Sequence, residues 1–313
     1  MKTGDFAMFT RESPSRGAGS PHVLGFWDKP TGSCQYLVWD PATRQAALID
    51  VVQEFDPRAA STRHDAARWA LDQIEARGLT LAWILDTHPH ADHLMASAWL
   101  KERTGVPNAI GEKVTDIARL WEDHYNLPGA FDPAADFDRL LADGETFALG
   151  DLTVRVMLHS GHTLGSITYV IGDAAFVHDT FMQPDVGTSR ADFPGGNSSE
   201  LYDSLTSILS LPDETRLFVG HDYGTDDRDD PEWEATVAEH KASNAHMGGG
   251  TSRADFIALR DARDATLPLP DRILHALQVN LRAGRLPEPE SDGRSYFKIP
   301  ANRFTDKFKD PTA

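Results

Sequence analysis

Residues 87–94 read THPHADHL, which places His88, His90, Asp92 and His93 within six positions. Imidazole is the commonest metal-ligating side chain, and a carboxylate adds a hard oxygen donor. A loop this crowded predicts a metal platform if the rest of a coordination sphere lies elsewhere in the chain. Three further residues meet that requirement: His162 in SGHTLGS, Asp179 in FVHDT and His221 in FVGHDYG. Each follows directly on an apolar run, so each sits at the end of an expected strand. Strand ends along one edge of a sheet converge on a common cleft, and residues distant in sequence can meet there. All seven candidates are nitrogen or oxygen donors, a set that suits Zn²⁺, Fe²⁺ or Mn²⁺. An extended backbone past the strand points His88 and His90 the same way. Asp92 and His93, on the turn that follows, can then face a neighbouring point. One loop can thereby serve two adjacent metal positions.

The elements that must hold these residues are legible in outline. CQYLVWD and QAALID flank the turn PATR, which predicts a hairpin. STRHDAARWALDQIEARG carries Ala66, Ala67, Ala70, Leu71 and Ile74 at helical spacing and stops at Gly78. LTLAWILDT is a nearly continuous apolar run, expected as a strand buried on both faces, and ADHLMASAWLKERTG as a helix closing at Gly105. TFALGDLTVRVMLHSGH and SITYVIGDAAFVHDT each predict a strand, a Gly turn and a strand; SSELYDSLTSILSL predicts a helix and RLFVGHDYG a strand with a polar end. Hairpins mixed with helices argue for sheets covered by helices. The expected organisation is a loose lead-in over residues 1–20, a main domain over 21–245, and a C-terminal extension over 246–313 packed on the same domain. Within that extension GGG at 248–250 marks a hinge or cap, two helical stretches follow, and LPEPESDG is Pro-rich. DDRDD at 226–230 reads as a solvated loop.

The charge of the 313-residue chain, 30 Lys and Arg against 48 Asp and Glu, is −18 and argues against nucleic acid or anionic membranes as partners. The single cysteine excludes an intrachain disulfide framework and any cysteine-rich zinc site. Cys34, in SCQYLVWD, reads as a small buried hydrophobe of a strand. This usage fits a reducing cytoplasm, and no apolar run is long enough to span a membrane or act as a signal peptide.

THPHADH, SGHT, the Asp of VHDT, and GHDY resemble, in order, the metal motifs of the metallo-β-lactamase superfamily. The resemblance covers roughly residues 21–245 and implies a mixed α/β (α+β) fold, an αββα sandwich with the metal between the ends of two sheets. It leaves two reactions open. In thioesterases of the glyoxalase II type all seven residues hold two Zn(II) ions bridged by the residue matching Asp179, and metal-bound water attacks a glutathione thioester. In persulfide dioxygenases only the residues matching His88, His162 and Asp179 bind a single Fe(II), a two-histidine, one-carboxylate site. His90, Asp92, His93 and His221 then support those ligands. TSRADFPGG at 188–196 resembles the Arg-x-Asp-Phe segment of persulfide dioxygenases, and the stretch from ARDATLPLPD to RSYFKIP resembles the C-terminal extension of the bacterial ones. The resemblance therefore favours glutathione persulfide, or a related small thiol, oxidised with O₂ to sulfite and glutathione. It implies Arg190 as an anchor for the ligand carboxylates, with Tyr223, Arg282 and Lys298 as further candidates, one iron per chain, and a homodimer as the assembly to test. His178 departs from the family, which has glycine before the ligand aspartate; it is expected to face outward from its strand.

Overall fold

The computed structural model describes residues 8–307. The chain runs β1 (Phe9–Ser13), β2 (His22–Asp28), β3 (Ser33–Trp39), β4 (Gln45–Ile49), β5 (Val52–Asp56), β6 (Ser61–Arg63), α1 (Asp65–Ala76), β7 (Thr80–Leu85) and β8 (Leu94–Met95). It continues through α2 (Ser97–Thr104), β9 (Asn108–Gly111), α3 (Val114–Tyr125), α4 (Pro133–Asp136), β10 (Arg139–Leu141), β11 (Thr146–Leu149), β12 (Leu152–Leu158), β13 (Ile167–Ile171) and β14 (Ala174–His178). The last part comprises α5 (Ser198–Leu209), β15 (Arg216–Val219), β16 (Glu234–Thr236), α6 (Val237–Ser243), α7 (Arg253–Asp264), α8 (Ile273–Asn280) and a 3-10 turn (Thr305–Lys307).

Two sheets dominate. One has the order β1-β2-β3-β4-β7-β9-β10, the other β11-β12-β13-β14-β15-β16. The first is antiparallel through β4 and parallel beyond it; the second is antiparallel except for the parallel pair β14–β15. Val38, Ile49 and Leu85 of the first sheet share one buried cluster with Val154, Tyr169, Phe176 and Phe218 of the second. Leu201, Leu205 and Ile208 of α5 and Phe256 of α7 join that cluster, while Ala67, Ala70 and Ile74 of α1 and Leu100 of α2 cover the outer face of the first sheet. The result is the expected αββα sandwich. A small third sheet, β6-β5-β8, lies beside it.

Several expectations are revised. The lead-in is not loose from residue 9 onward: β1 pairs antiparallel with β2 in full register. Its residues FTRES are mostly polar and exposed, as an edge strand tolerates, so no apolar alternation signals it. Residues 1–7 and 308–313 of the expected lead-in and extension lie outside the described residues. β7 is fully buried only at Ile84 and Leu85; its earlier residues are part-exposed. The helix after the histidine loop begins at Ser97 rather than at Ala91, because Leu94–Met95 pairs with β5 instead. GGG acts as a cap: Gly248 and Gly249 donate their backbone N–H groups to the Asn244 and Lys241 carbonyls of α6 and its end. No helix among the described residues is long and apolar enough to cross a membrane.

One buried charge ties the start of the chain to the second sheet. Arg216 of β15 is fully buried and donates to Asp173 Oδ1 (2.8 Å), Ser13 Oγ (2.8 Å), Ser20 Oγ (3.1 Å) and the Pro21 carbonyl (3.0 Å). Removing one partner of such a pair strands the desolvated polar groups around it. Arg216→Ala should therefore destabilise the fold by about 3 kcal/mol in urea unfolding while leaving metal content intact. A midpoint equal to wild type would refute this role.

Candidate metal centre

The ligand candidates arrive from four separate strand ends. β7 delivers residues 86–93, the β12–β13 connection delivers His162, β14 delivers Asp179, and β15 delivers His221. Gly220 permits the last approach, since a Cβ there would fall 2.4 Å from Asp179 Oδ1. All six of the ligand candidates other than Asp92 are buried, and Asp92 retains 20 % side-chain exposure.

Asp179 is the hub. Its Oδ2 lies 3.6 Å from both His88 Nε2 and His162 Nε2, and its Oδ1 lies 2.5 Å from His221 Nδ1. His221 Nε2 in turn meets Asp92 Oδ2 at 2.6 Å, and His93 Nδ1 meets the same oxygen at 3.1 Å. Ser33 Oγ caps this second group, 3.0 Å from His93 Nδ1 and 3.1 Å from His221 Nε2. Three sets of possible donors lie within 4.8 Å of one another: His88, His90 and Asp179; His90, Asp92 and His93; Asp92, Asp179 and His221. The structure thus brings all seven candidates together.

The buried ring nitrogens His88 Nε2, His90 Nδ1 and His93 Nε2 have no hydrogen-bond partner in the protein. Buried polar atoms are normally satisfied, and orphaned imidazole nitrogens beside carboxylates are what a divalent cation uses. The residues therefore fit a metal ion. Groups behind the ligands fix their orientation. Asp50 Oδ1 lies 3.1 Å from His90 Nε2, while Asp50 also accepts from Thr87 N and Thr87 Oγ1, both at 2.8 Å. The Arg190 carbonyl lies 2.8 Å from His162 Nδ1. The neighbouring Ala191 N–H is held by Asp264 Oδ2 (2.7 Å). In turn, Asp264 is paired with buried Arg260 of α7.

Electrostatics divides the site. Burial, with His90 and His162 nearby, holds His88 well below the usual histidine value. Burial also lowers His93 and His162. Burial opposes charge on His221 too, but Asp179 and Asp92 outweigh it and hold His221 well above the ordinary value. The carboxyls of Asp92 and Asp179 are correspondingly lowered despite their burial, chiefly by His221. Asp86, behind the loop and bonded to Ser97, is pushed up to about 7 by burial and by Asp50.

His178 does not face outward. Every residue of β14 is buried, so neither face of that strand meets solvent, and the His178 ring lies 5.2 Å from that of His88. A register shift interrupts β14 between Phe176 and His178, and His178 adopts φ 43°. That backbone region is where glycine is the default residue, and histidine is among the few others that enter it. Thr180 Oγ1 meets its Nε2 at 2.9 Å.

A cleft of about 500 Å³ opens over the site, lined by His162, Asp179, His221, Phe193 and Tyr223 together with Arg190, Arg260 and Arg263. Arg190 is on the cleft, but its guanidinium already grips Asp192 at 2.7 and 2.9 Å and the Pro268 carbonyl at 2.7 Å. Tyr223 is 66 % exposed at the mouth and stacks on His221. Arg282 and Lys298 lie away from the cleft. Arg282 is buried over Phe131 and donates to the Ala130 carbonyl; Lys298 Nζ donates to the Asn126 carbonyl. Arg263, which the sequence reading missed, lines the cleft and is exposed. Arg228, inside the stretch expected as a solvated loop, is mostly buried and pairs with Asp222 and Asp185. Asp50 was also missed, although it follows the apolar run AALI in the same way as the ligands follow theirs. Cys34 is buried in β3, as expected, and burial pushes its thiol up.

The pattern of the metallo-beta-lactamase superfamily matches residues 32–221. The chain is 54% identical over 283 residues to the beta-lactamase hydrolase-like protein of Xylella fastidiosa, covering 90% of this chain and 65% of that protein. It thus spans about two thirds of that relative's length. It is 29% identical over 273 residues to the mitochondrial persulfide dioxygenase of Homo sapiens, covering 86% of this chain and 91% of that one. Among solved structures it is similar to ETHE1 from Myxococcus xanthus, at 31% identity and a TM-score of 0.66, covering 89% of this chain and 100% of that one.

The opposed shifts of His221 and its two carboxylates fix a pH profile for the metal-free protein. The lowered carboxylates contribute stability above the usual aspartate value of about 3.9, lost as the pH falls through their lowered values. The raised His221 contributes stability below the usual histidine value of about 6.5, lost as the pH rises through its elevated value. Urea unfolding of chelator-treated protein should therefore lose stability as the pH rises above about 6.5, and His221→Asn should flatten this alkaline limb. An alkaline limb unchanged by the substitution would sink the assignment.

Proposed function

The chain belongs to the metallo-beta-lactamase superfamily, and on that premise we propose that it is a non-haem iron persulfide dioxygenase. It would convert glutathione persulfide, O₂ and water to glutathione and sulfite, in the reducing cytoplasm. The observation that carries this reading is the contrast between the two halves of the ligand set. His88 Nε2 and His162 Nε2 stand off Asp179 Oδ2 at 3.6 Å, a separation that suits donors arranged around one ion. On the other side, His221, Asp92, His93 and Ser33 close on one another at 2.6 to 3.1 Å, as a hydrogen-bonded support. The similarity to the human persulfide dioxygenase and to ETHE1 of Myxococcus xanthus supports the same assignment.

Iron held by His88, His162 and Asp179 would supply open coordination positions for the terminal sulfur and O₂ together with redox chemistry. The Arg190 carbonyl keeps His162 Nε2 turned toward Asp179 by engaging Nδ1. Phe193, packed 5.1 Å from the His162 ring, walls the cleft and limits water around the reacting sulfur. His221, between Asp179 and Asp92, can hold a proton at Nδ1 or Nε2 near the point of reaction. Arg263 is the better anchor for a ligand carboxylate, since the guanidinium of Arg190 is neutralised by Asp192 and instead shapes the floor.

The second reading, a binuclear zinc thioester hydrolase, is favoured by the unpartnered His90 Nδ1 and His93 Nε2 and by the two faces of Asp179. Asp179 turns one oxygen to each half of the set, as a bridging carboxylate does. Iron-loaded protein given glutathione persulfide should take up O₂ and release sulfite. Rapid hydrolysis of lactoylglutathione with no oxygen uptake would overturn the dioxygenase reading. Elemental analysis should find about one metal per chain, lost in His88→Ala and Asp179→Ala and kept in His93→Ala and His221→Ala; two metals falling to one in His93→Ala would favour the hydrolase. Arg263→Ala should weaken substrate use by about 1.5–3 kcal/mol, read in kcat/KM, with metal content unchanged. Unaltered kinetics would leave Arg263 a mere surface charge.

A further inference from the structure

We infer that Asn280, the last residue of α8, is a positioning residue that sets the geometry of the metal loop. It lies 187 residues beyond His93 in sequence, outside the span that the superfamily pattern matches. Its side chain is fully buried and makes three hydrogen bonds, two to the backbone of the loop and one to β8, which follows it. Oδ1 accepts the Met95 N–H at 2.8 Å. Nδ2 donates to the His90 carbonyl and the His93 carbonyl, each at 2.8 Å.

Residues 86–93 form no helix or strand, so their buried backbone groups must find partners elsewhere. A carboxamide offers an acceptor and two donors in one plane, which is the set used here. Aspartate keeps the acceptor but has no donor, and alanine has neither. Two of the three bonded groups belong to His90 and His93, which are interleaved with the other candidate donors of the loop. Fixing the carbonyls of His90 and His93 fixes the backbone from which both imidazoles project. The contact is reinforced as the chain leaves α8: Ala98 N–H donates to the Ala283 carbonyl at 2.7 Å. Gly284, at φ 98°, passes so close that a Cβ would fall 2.0 Å from the Met95 carbonyl oxygen.

A residue in the same helix provides the contrast. Gln278 is equally buried, and its amide donates to Leu274 and Lys298 carbonyls and accepts from Lys298 N–H, with no bond to the loop. Removing Gln278 disturbs a buried amide of α8 without touching the ligands. Removing Asn280 frees the backbone of the loop that carries His88.

The inference rests on the histidine loop supplying a metal ligand, His88 in either reading, and is independent of which reaction follows. The test uses Co(II) as the probe, with affinity read by chelator competition and geometry read from the visible absorption of the bound ion. Asn280→Ala should bind Co(II) about 10–100-fold more weakly than wild type, with an altered visible band. Gln278→Ala should match wild type in both. Should Asn280→Ala fail to fold, Asn280→Asp retains the Met95 contact, turns an oxygen toward two carbonyls, and should show the same loss. Wild-type affinity and spectrum in the folded Asn280 variants would overturn the inference, as would an equal loss in Gln278→Ala. A wild type that binds Co(II) with the expected variant pattern but lacks oxygen uptake would fail the proposed reaction alone.

Discussion

A buried carboxylate must be compensated, and at Asp179 the compensation organises the whole molecule. Its two oxygens face histidines delivered by β7, by the β12–β13 connection and by β15. His162, Asp179 and His221 come from the second sheet and His88 from the first, while Asp92 of the first-sheet loop meets the other nitrogen of His221, so the network is complete only when the two sheets pack in register. The apolar cluster between them supplies the driving force, since burying apolar area is the dominant favourable term in folding. The network supplies the specificity, because a slip between sheets would part Asp92 from His221 and leave buried charge uncompensated. Fold and site are in this sense one arrangement seen from two ends.

The clustering of the seven candidate side chains was legible in the sequence because each follows an apolar run, and strand ends converge. The sandwich was legible for the related reason that apolar runs and Gly turns mark hairpins. What escaped notice has physical causes. β1 is an exposed edge whose polar residues carry no alternation. Leu94 and Met95 look helical by composition, yet they pair with β5, a tertiary contact that local propensity cannot anticipate. His178 was expected outside, but both faces of β14 are buried, and a register shift before His178 breaks the alternation that would turn it outward. Arg282 and Lys298 looked like free cations, but both spend their donors on backbone carbonyls away from the cleft. Arg228 was hidden in a run of aspartates whose composition suggested only solvent. Asn280 ends an apolar helix, and no spacing rule ties it to a loop so far upstream.

The C-terminal helices are therefore more than a cover. Through Arg260 and Asp264, α7 holds Ala191, next to the carbonyl that orients His162. On the other side of the cleft, α8 holds the backbone of the histidine loop. Each helix braces one wing of the ligand set from behind, by bonds to main chain rather than to the ligands' rings. Bracing of this kind sets position while leaving the ring nitrogens free for coordination.

The arginines of the cleft stand in a molecule whose formal charge is −18. A small anion approaching from bulk solvent first meets repulsion from the whole surface and feels the guanidinium groups only near the mouth. Dissolved salt separates these two regimes, because the screening distance is about 8 Å at physiological ionic strength. The long-range barrier is damped while contact at the mouth persists. Capture of an anion should accordingly quicken as ions are added from very dilute buffer, the reverse of the usual behaviour of an oppositely charged pair. The acidic surface would then act as a filter on entry, one whose strength the surrounding electrolyte adjusts.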